Sequence, residues 1–180
     1  LHQAQRLAVA LGSRHAEVAA DFFLGVTAFL VADQHHRVAL DAADTGDDLR
    51  AEFGYGVYPN VVTSIEFERI LSASGPTSGH VQRPSDEKEP RRIAWIQCVG
   101  SRDTTCDRDY CSSVCCMYAT KEAVIAREHD GNIEPTIFYI DLRAFGKGFD
   151  DYATRASEHH GVRYSPEALA AAVKLSHRYV

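Results

Sequence analysis

The fold is decided by RIAWIQCV at residues 92–99, an apolar run of β-prone residues. A second such run, EPTIFYIDL, covers Glu134–Leu142, and the segment Cys111–His129 between them is a helix candidate with Ser112 or Ser113 near its start. A strand, a helix and a strand within about fifty residues predict a βαβ unit with parallel strands. Its crossover should be right-handed. We therefore expect an α/β fold built around this unit.

The N-terminal flank of this unit is expected to be mainly helical. Apolar residues recur at helical spacing from Leu1 to about Val31, whereas residues 32–50 are polar and acidic and indicate a linker or a surface helix. A short helix is predicted over Ile65–Ser72, with Thr63 or Ser64 as its N-cap.

The C-terminal flank is also expected to be helical. Tyr152–His159 and Pro166–Tyr179 are the predicted helices, and Ser165 is the expected N-cap of the second one. The stretch RAFGKGFDD at residues 143–151, just before them, has the composition of a loop.

The charge balance and the apolar runs argue against two classes of partner. The chain of 180 residues has a formal net charge of -6 and no long basic run, whereas nucleic-acid binding needs clustered Lys and Arg. The longest apolar stretch, Phe22–Ala32, is about half as long as a membrane-spanning helix requires. A strongly basic leader is also missing. We expect a cytoplasmic protein with neither a nucleic acid nor a membrane as its partner.

All 5 cysteines of the chain lie between Cys98 and Cys116. A disulfide framework would spread them along the chain, so their crowding indicates a metal or redox site in a reducing compartment. Cys98 ends the first predicted strand, and Cys111, Cys115 and Cys116 begin the following helix. Parallel α/β folds place cofactors at this edge, and the positive end of the helix dipole favours thiolates there.

The spacing of these cysteines favours an iron–sulfur cluster over zinc. Four thiolates can hold either a tetrahedral zinc ion or a cubane cluster. Zinc sites usually present paired CxxC knuckles, and the CxxxCC arrangement of Cys111, Cys115 and Cys116 contains none. Cys111 and Cys115 share one helical face, but Cys116 points about a third of a turn away, so the first helical turn should be irregular. Zinc, a metal-free redox disulfide and inert core thiols stay open as alternatives, and no role is expected for Cys106.

Other polar residues give weaker signals. Arg102 and Arg108 flank the cysteine loop and are expected to be solvated charges. The histidine pairs at residues 35–36 and 159–160 should lie on the surface, because adjacent helical residues do not converge on one metal. The Gly-rich G-x-G-x-x-G turn of a dinucleotide site does not follow Cys98, so no pyrophosphate seat is predicted there. No general acid or base can be identified, and the catalytic residues stay unknown.

Four stretches carry a resemblance to a known family. They are FGYGVYPNVVTSIEFERILSASGPTSGHV, RIAWIQCVGSRD, YCSSVCCMYATKEAVIAREHD and IEPTIFYIDLRAFGKGFDDY. In order and in cysteine spacing they resemble the A subunit of heterodisulfide reductase and its bacterial relatives. The resemblance covers about Phe53 to Tyr152. It divides the chain into residues 1–50 of unknown role, an α/β cluster-binding region at 51–152, and a helical tail at 153–180.

The resemblance implies a fold, cofactors and partners. Members of this family are flavoproteins with a thioredoxin-reductase-like core, so the chain would contain a partial Rossmann-like unit. They carry FAD and several 4Fe–4S clusters, and they pass electrons from ferredoxin-like or hydrogenase donors, with other reductase subunits, towards disulfide reduction. Carried onto this sequence, the cluster ligands are Cys98, Cys111, Cys115 and Cys116, and Cys106 is outside the pattern.

The tail departs from that family. HHGVRYSPEALAAAVKLSHRYV, from about His159, resembles a short stretch of the ATPase domain of Clp-type unfoldases. Because the chain has no Walker A motif, ATPase activity is not implied. Two other functions therefore stay open beside an electron-transfer fragment. One is a zinc-stabilised structural or interaction module without a redox role, and the other is an unfoldase-derived helical adaptor.

Overall fold

The computed structural model describes residues 28–32, 58–98, 101–102, 109–143 and 146–165. In this part of the chain, five strands form a single sheet: β1 Ala28–Ala32, β2 Val61–Thr63, β3 Arg92–Ile96, β4 Glu134–Phe138 and β5 Arg163–Ser165. The helices described are α1 Ser64–Leu71, α2 Cys115–His129 and α3 Phe149–His160. None of these three helices combines the length and the apolar character that a membrane span requires.

The sheet is parallel throughout, with the strand order β2-β1-β3-β4-β5. Its centre is the β3–α2–β4 unit, in which Arg92 is paired with Glu134 and Ile96 with Phe138. The two strands of the expected βαβ unit are therefore parallel neighbours. The order 2-1-3-4-5 reverses its direction of growth between β1 and β3, which is the topological switch point of doubly wound sheets.

Both faces of the central strands are buried. On one face, Ile93, Trp95 and Ile137 belong to the core that includes Phe67 of α1, and the rings of Phe67 and Trp95 meet edge to face at 5.6 Å. On the other face, Ala94 and Phe138 are buried as well. A strand buried on both faces reads as a continuous apolar run instead of an alternating one, and this explains the composition of β3 and β4.

A polar pair lies within the helix-facing core. The Trp95 indole Nε1–H donates to Glu122 Oε2 at 2.9 Å, and both residues are buried. Burial of a polar group is costly unless the group has a hydrogen-bond partner. The Trp95 indole N–H and the Glu122 side chain each supply the partner that the other needs. This pair joins the centre of β3 to the middle of α2.

Helix α1 begins with a capping box. The Thr63 hydroxyl accepts from the Glu66 backbone N–H at 3.2 Å, and Glu66 Oε2 accepts from the Thr63 backbone N–H at 2.7 Å. Two backbone donors that a helix start leaves unpaired are therefore satisfied. The sequence predicts Thr63 or Ser64 as the cap, and the structure selects Thr63.

The Thr63→Ala variant should be less stable by about 1 kcal/mol, since it loses the cap of α1. Urea unfolding followed by circular dichroism measures this difference. Thr154→Ala is the matched control, because the Thr154 hydroxyl donates to the Asp150 carbonyl inside a helix and caps nothing. Equal losses in the two variants would contradict a capping role for Thr63.

Several boundaries differ from the sequence-based expectation. The helix predicted up to about Val31 is wrong at its end, because AFLVA at Ala28–Ala32 is a strand, and periodicity alone does not distinguish a short apolar strand from the end of a helix. Helix α2 begins at Cys115 and not at Cys111, because Ser113 has a left-handed φ of 67° that a continuing helix forbids. Ser165 lies in β5, and the helix predicted over Pro166–Tyr179 is outside the described residues.

Helix α3 is longer than expected. It covers Phe149–His160, where the sequence predicts Tyr152–His159. Gly148 and Gly161 stand on either side of it with left-handed φ values of 81° and 62°. Residues with a side chain rarely adopt this conformation, so the two glycines fix where the helix begins and ends. The predicted helices before residue 28 and in 32–50 lie outside the described residues, apart from the strand β1.

Candidate metal centre

The candidate site lies at the carboxyl edge of the sheet, where Cys98 follows β3 and Cys115 and Cys116 begin α2. Cys111 is in the turn before that helix. All four are free thiols; Cys115 and Cys116 are buried, whereas Cys98 and Cys111 are partly exposed. Since β3 borders the switch point of the strand order, Cys98 occupies the position where open α/β sheets bind their ligands.

Cys115 is the centre of the thiol group. Hydrogen bonding with the Cys115 thiol is the main cause that raises the pKa of Cys98, and burial raises it further. The same two causes, in the same order, raise the pKa of Cys116. The thiols of Cys98, Cys115 and Cys116 are therefore brought together. Burial and the neighbouring thiols therefore disfavour the thiolate forms of Cys98 and Cys116, whereas a bound metal favours deprotonated ligands.

Cys111 is less closely integrated than expected. The charge of Cys111 contributes to the raised pKa of Cys116, and Cys111 does not share a helical face with Cys115, because it precedes α2. Within the described residues, no three Cys, His, Asp or Glu side chains form a compact ligand group for a single metal ion. The irregular start expected for this helix fits the structure, in which Cys111 lies before α2, and Cys116 interacts directly with the Cys115 thiol.

Several donors surround the sulfur atoms. The Ser113 backbone N–H donates to Cys111 Sγ at 3.4 Å, and a backbone hydrogen bond from Arg143 favours the thiolate of Cys116. The charge of Arg102 likewise favours the thiolate of Cys98. Backbone N–H groups and cations around a sulfur-only donor set fit a thiolate-ligated cluster.

Strained backbone is concentrated around the cysteines. Five described residues other than glycine have a positive φ, and three of them are Cys98, Arg102 and Ser113, at 61°, 55° and 67°. Each such residue costs about 1–2 kcal/mol. Strain of this kind persists where the surroundings impose it, which is common at functional sites.

Sequence reasoning missed the residues after β4. Asp141 carries an ion pair with Arg143 at 3.1 Å, and its carbonyl oxygen lies 3.8 Å from Cys116 Sγ. Arg102, expected to be a solvated charge, pairs with the Asp141 carboxylate instead. A signal was available in the sequence, because Asp141 lies at the end of the second predicted strand, and the ends of neighbouring parallel strands share one edge of the sheet.

The remaining predicted residues lie apart from this site or beyond the described segments. His159 is exposed on α3, and His160 is partly exposed with its Nδ1 at 4.0 Å from Glu128 Oε1. Cys106, Arg108 and the histidines at 35–36 fall on residues that the structure does not describe.

The raised thiol pKa values predict a pH dependence for the ligand-free chain. A thiol whose folded pKa exceeds its ordinary value of 9.0 stabilises the fold at lower pH. That contribution is lost as the pH rises from about 9 towards the folded-state pKa. We expect the free energy of unfolding to fall above about pH 9 by at most about 1.4 kcal/mol per pH unit for each thiol. Urea unfolding of the wild-type and Cys98→Ser/Cys116→Ser chains measures it, and identical slopes would contradict the assignment.

Most of the chain is similar to A subunits of heterodisulfide reductases. It is 56% identical over 115 residues to the second iron-sulfur A subunit of CoB–CoM heterodisulfide reductase from Methanopyrus kandleri, covering 64% of this chain and 18% of that relative. It is 51% identical over 116 residues to the corresponding iron-sulfur A subunit from Methanocaldococcus jannaschii, with the same two coverages of 64% and 18%.

A third relative extends the match slightly. The A subunit of the H2:CoB–CoM heterodisulfide,ferredoxin reductase from Methanothermobacter marburgensis is 47% identical over 124 residues, 69% of this chain and 18% of the relative. The chain thus spans about a fifth of the length of these curated relatives. The tail, residues 150–180, matches a family described as the AAA lid domain, in line with its expected unfoldase likeness.

The expected resemblance is therefore confirmed: over roughly two thirds of its length, this chain is similar to one segment of the A subunit of CoB–CoM heterodisulfide reductase.

Proposed function

We propose that the chain is an electron-transfer segment of a heterodisulfide reductase A-like oxidoreductase, in which Cys98, Cys111, Cys115 and Cys116 hold a 4Fe–4S cluster. The observation that carries the proposal is the gathering of the cysteine thiols at the end of β3 and the start of α2, in a chain similar to an iron-sulfur protein. Four cysteine thiolates are the usual ligand set of such a cluster.

The protein's own groups prepare this site for a negatively charged centre. Cys115 and Cys116 are buried at the N-terminus of α2, where the helix dipole favours thiolates. The backbone N–H groups of Ser113 and Arg143 donate towards sulfur. A cluster bound here supplies the ability to accept and release one electron at a time. Burial of the two cysteines limits the access of water to it.

The whole reductase supplies what this segment does not. The names of related subunits include H2, ferredoxin and F420H2. We infer that the chain belongs to an assembly in which a donor of this type delivers electrons, FAD mediates their transfer, and other subunits reduce a disulfide. The five-stranded parallel sheet supports a thioredoxin-reductase-like, partial Rossmann fold. A cytoplasmic location agrees with the reduced thiols.

Anaerobic expression followed by metal analysis tests this proposal. We expect a brown protein with broad absorbance near ~400 nm, bleached by dithionite, with about four irons and four sulfides per chain. Zinc in a colourless protein would overturn the proposal in favour of a structural module whose metal only stabilises the fold. A folded chain without any metal would overturn both.

A further inference from the structure

Arg102 connects the two chain segments that carry Cys98 and Cys111. The Ser101 backbone N–H donates to the Cys98 carbonyl at 3.2 Å, and the Arg102 N–H donates to the Tyr110 carbonyl at 3.0 Å. Tyr110 directly precedes Cys111. These two hydrogen bonds therefore tie the chain after Cys98 to the chain before Cys111 at the backbone of Ser101 and Arg102.

The side chain of Arg102 reaches a third segment. Its guanidinium group pairs with the Asp141 carboxylate, which also accepts from Arg143 Nε at 3.1 Å. The Asp141 carbonyl lies 3.8 Å from Cys116 Sγ. Asp141 follows β4, whereas Arg102 follows β3, so the pair closes the site across the edge of the sheet. The backbone and the side chain of one residue thus link the surroundings of Cys98, Cys111 and Cys116.

The backbone conformation of Arg102 indicates that the arginine side chain is needed at this position. With a φ of 55°, this position would suit glycine. An arginine here is strained relative to a residue in an ordinary right-handed or extended conformation. The ion pair with Asp141 is partly buried, since the Arg102 side chain is 21% exposed. A residue needed only to close a turn would not have to be an arginine.

We propose that Arg102, held by Asp141, is a positioning residue of the metal centre that fixes the spacing of the cysteine segments and raises the reduction potential of its cluster. This inference rests on the function proposed above. A cation beside thiolate ligands stabilises the reduced cluster, which carries one more negative charge than the oxidised one. A carboxylate at the same place has the opposite effect. Arg102 and Asp141 therefore fix the spacing of the cysteine segments together, but they have opposite effects on the reduction potential of the cluster.

The experiment compares four variants of the full chain with wild type: Arg102→Ala, Arg102→Lys, Asp141→Asn and Arg92→Ala. Arg92→Ala is the matched control, because Arg92 pairs with Glu134 at 3.7 Å across the same two strands at their opposite ends. Circular dichroism checks folding. Two quantities are then measured anaerobically, namely the rate of iron loss to a chelator and the midpoint potential of the cluster by a redox titration followed by EPR.

We expect Arg102→Ala and Asp141→Asn to lose iron about tenfold faster or more, as removal of a partner that orients a ligand does. Their midpoint potentials should shift in opposite directions, down for Arg102→Ala and up for Asp141→Asn. Arg102→Lys should keep the wild-type potential but lose iron faster, because lysine keeps the charge without the planar fork. Arg92→Ala should match wild type in both.

Two results would overturn the inference. One is a shift of the potential in the same direction for Arg102→Ala and Asp141→Asn, and the other is iron loss no faster than in Arg92→Ala. If Arg102→Ala does not fold, the Arg102→Lys and Asp141→Asn chains decide the question alone. A wild-type chain without a cluster would instead overturn the function proposed above and this inference with it, so the two failures are distinguishable.

Discussion

The Cys115→Ser chain is expected to lose its iron almost completely, from about four atoms per chain to near none. Cys115 is 1% exposed, and its thiol interacts with those of both Cys98 and Cys116. A serine hydroxyl at this buried centre has a much higher pKa than a thiol and is a poor ligand for iron–sulfur clusters. Iron and acid-labile sulfide analysis of the anaerobically purified variant, together with its absorbance near ~400 nm, measures the loss.

Cys106→Ser is the matched control for this loss. Cys106 lies in the same cysteine-rich stretch but outside the ligand spacing that the resemblance implies, so the variant should keep wild-type iron and colour. Loss of iron in Cys106→Ser with retention in Cys115→Ser would contradict the ligand assignment. Cys111→Ser should resemble Cys115→Ser, which tests the one proposed ligand that lies in the turn before α2.

The Trp95→Ala chain is expected to be less stable by about 3–5 kcal/mol. Trp95 is 1% exposed at the centre of the sheet and packs edge to face on Phe67. Its removal leaves a cavity and takes away the indole donor of the buried Glu122 carboxylate. A loss of this size is a large part of the stability of a small domain, so the variant should be largely unfolded near physiological temperature.

Two further variants separate the causes of this loss. Trp95→Phe keeps an aromatic ring but not the N–H donor to Glu122. It should therefore lower the free energy of unfolding by less than Trp95→Ala does. The lost hydrogen bond alone should cost about 1–3 kcal/mol. Ile125→Ala, on an exposed position of α2, should change the free energy of unfolding by less than about 0.5 kcal/mol. Urea unfolding gives all three values. Similar losses for Trp95→Ala and Ile125→Ala would contradict the assignment of Trp95 to the core.

The central unit could be predicted because its signals are local. The apolar runs of β3 and β4 flank a helical segment, and this order alone requires parallel strands. The position of Cys98 at the edge of the sheet follows from counting along β3. The start of α2 could not be predicted in this way, because Ser113 adopts a left-handed backbone that no residue type announces.

The remaining features depend on contacts between distant residues. Strand β1 reads as the end of a helix in sequence and is a strand because β2 and β3 pair with it on either side. Asp141 and Arg102 are 39 residues apart, and each alone looks like a solvated charge. Glu122 looks like a surface residue of an amphipathic helix until Trp95 is placed beside it. The periodicity of apolar residues and the spacing of cysteines in the sequence do not predict such contacts between distant residues.

The place of β1 in the sheet bears on how the protein can be cut for laboratory work. The resemblance to the reductase divides off residues 51–152, and an expressed chain could be trimmed to that range. Such a chain would lose β1, which lies between β2 and β3, and β5, which lies beside β4. β2 would then have no neighbour among the described strands. The bared backbone of β3 and β4 would recruit other copies, and the product would precipitate. We therefore expect soluble expression from chains that keep residues 28–165 and precipitation of the shorter one, although the sequence likeness is concentrated inside this range.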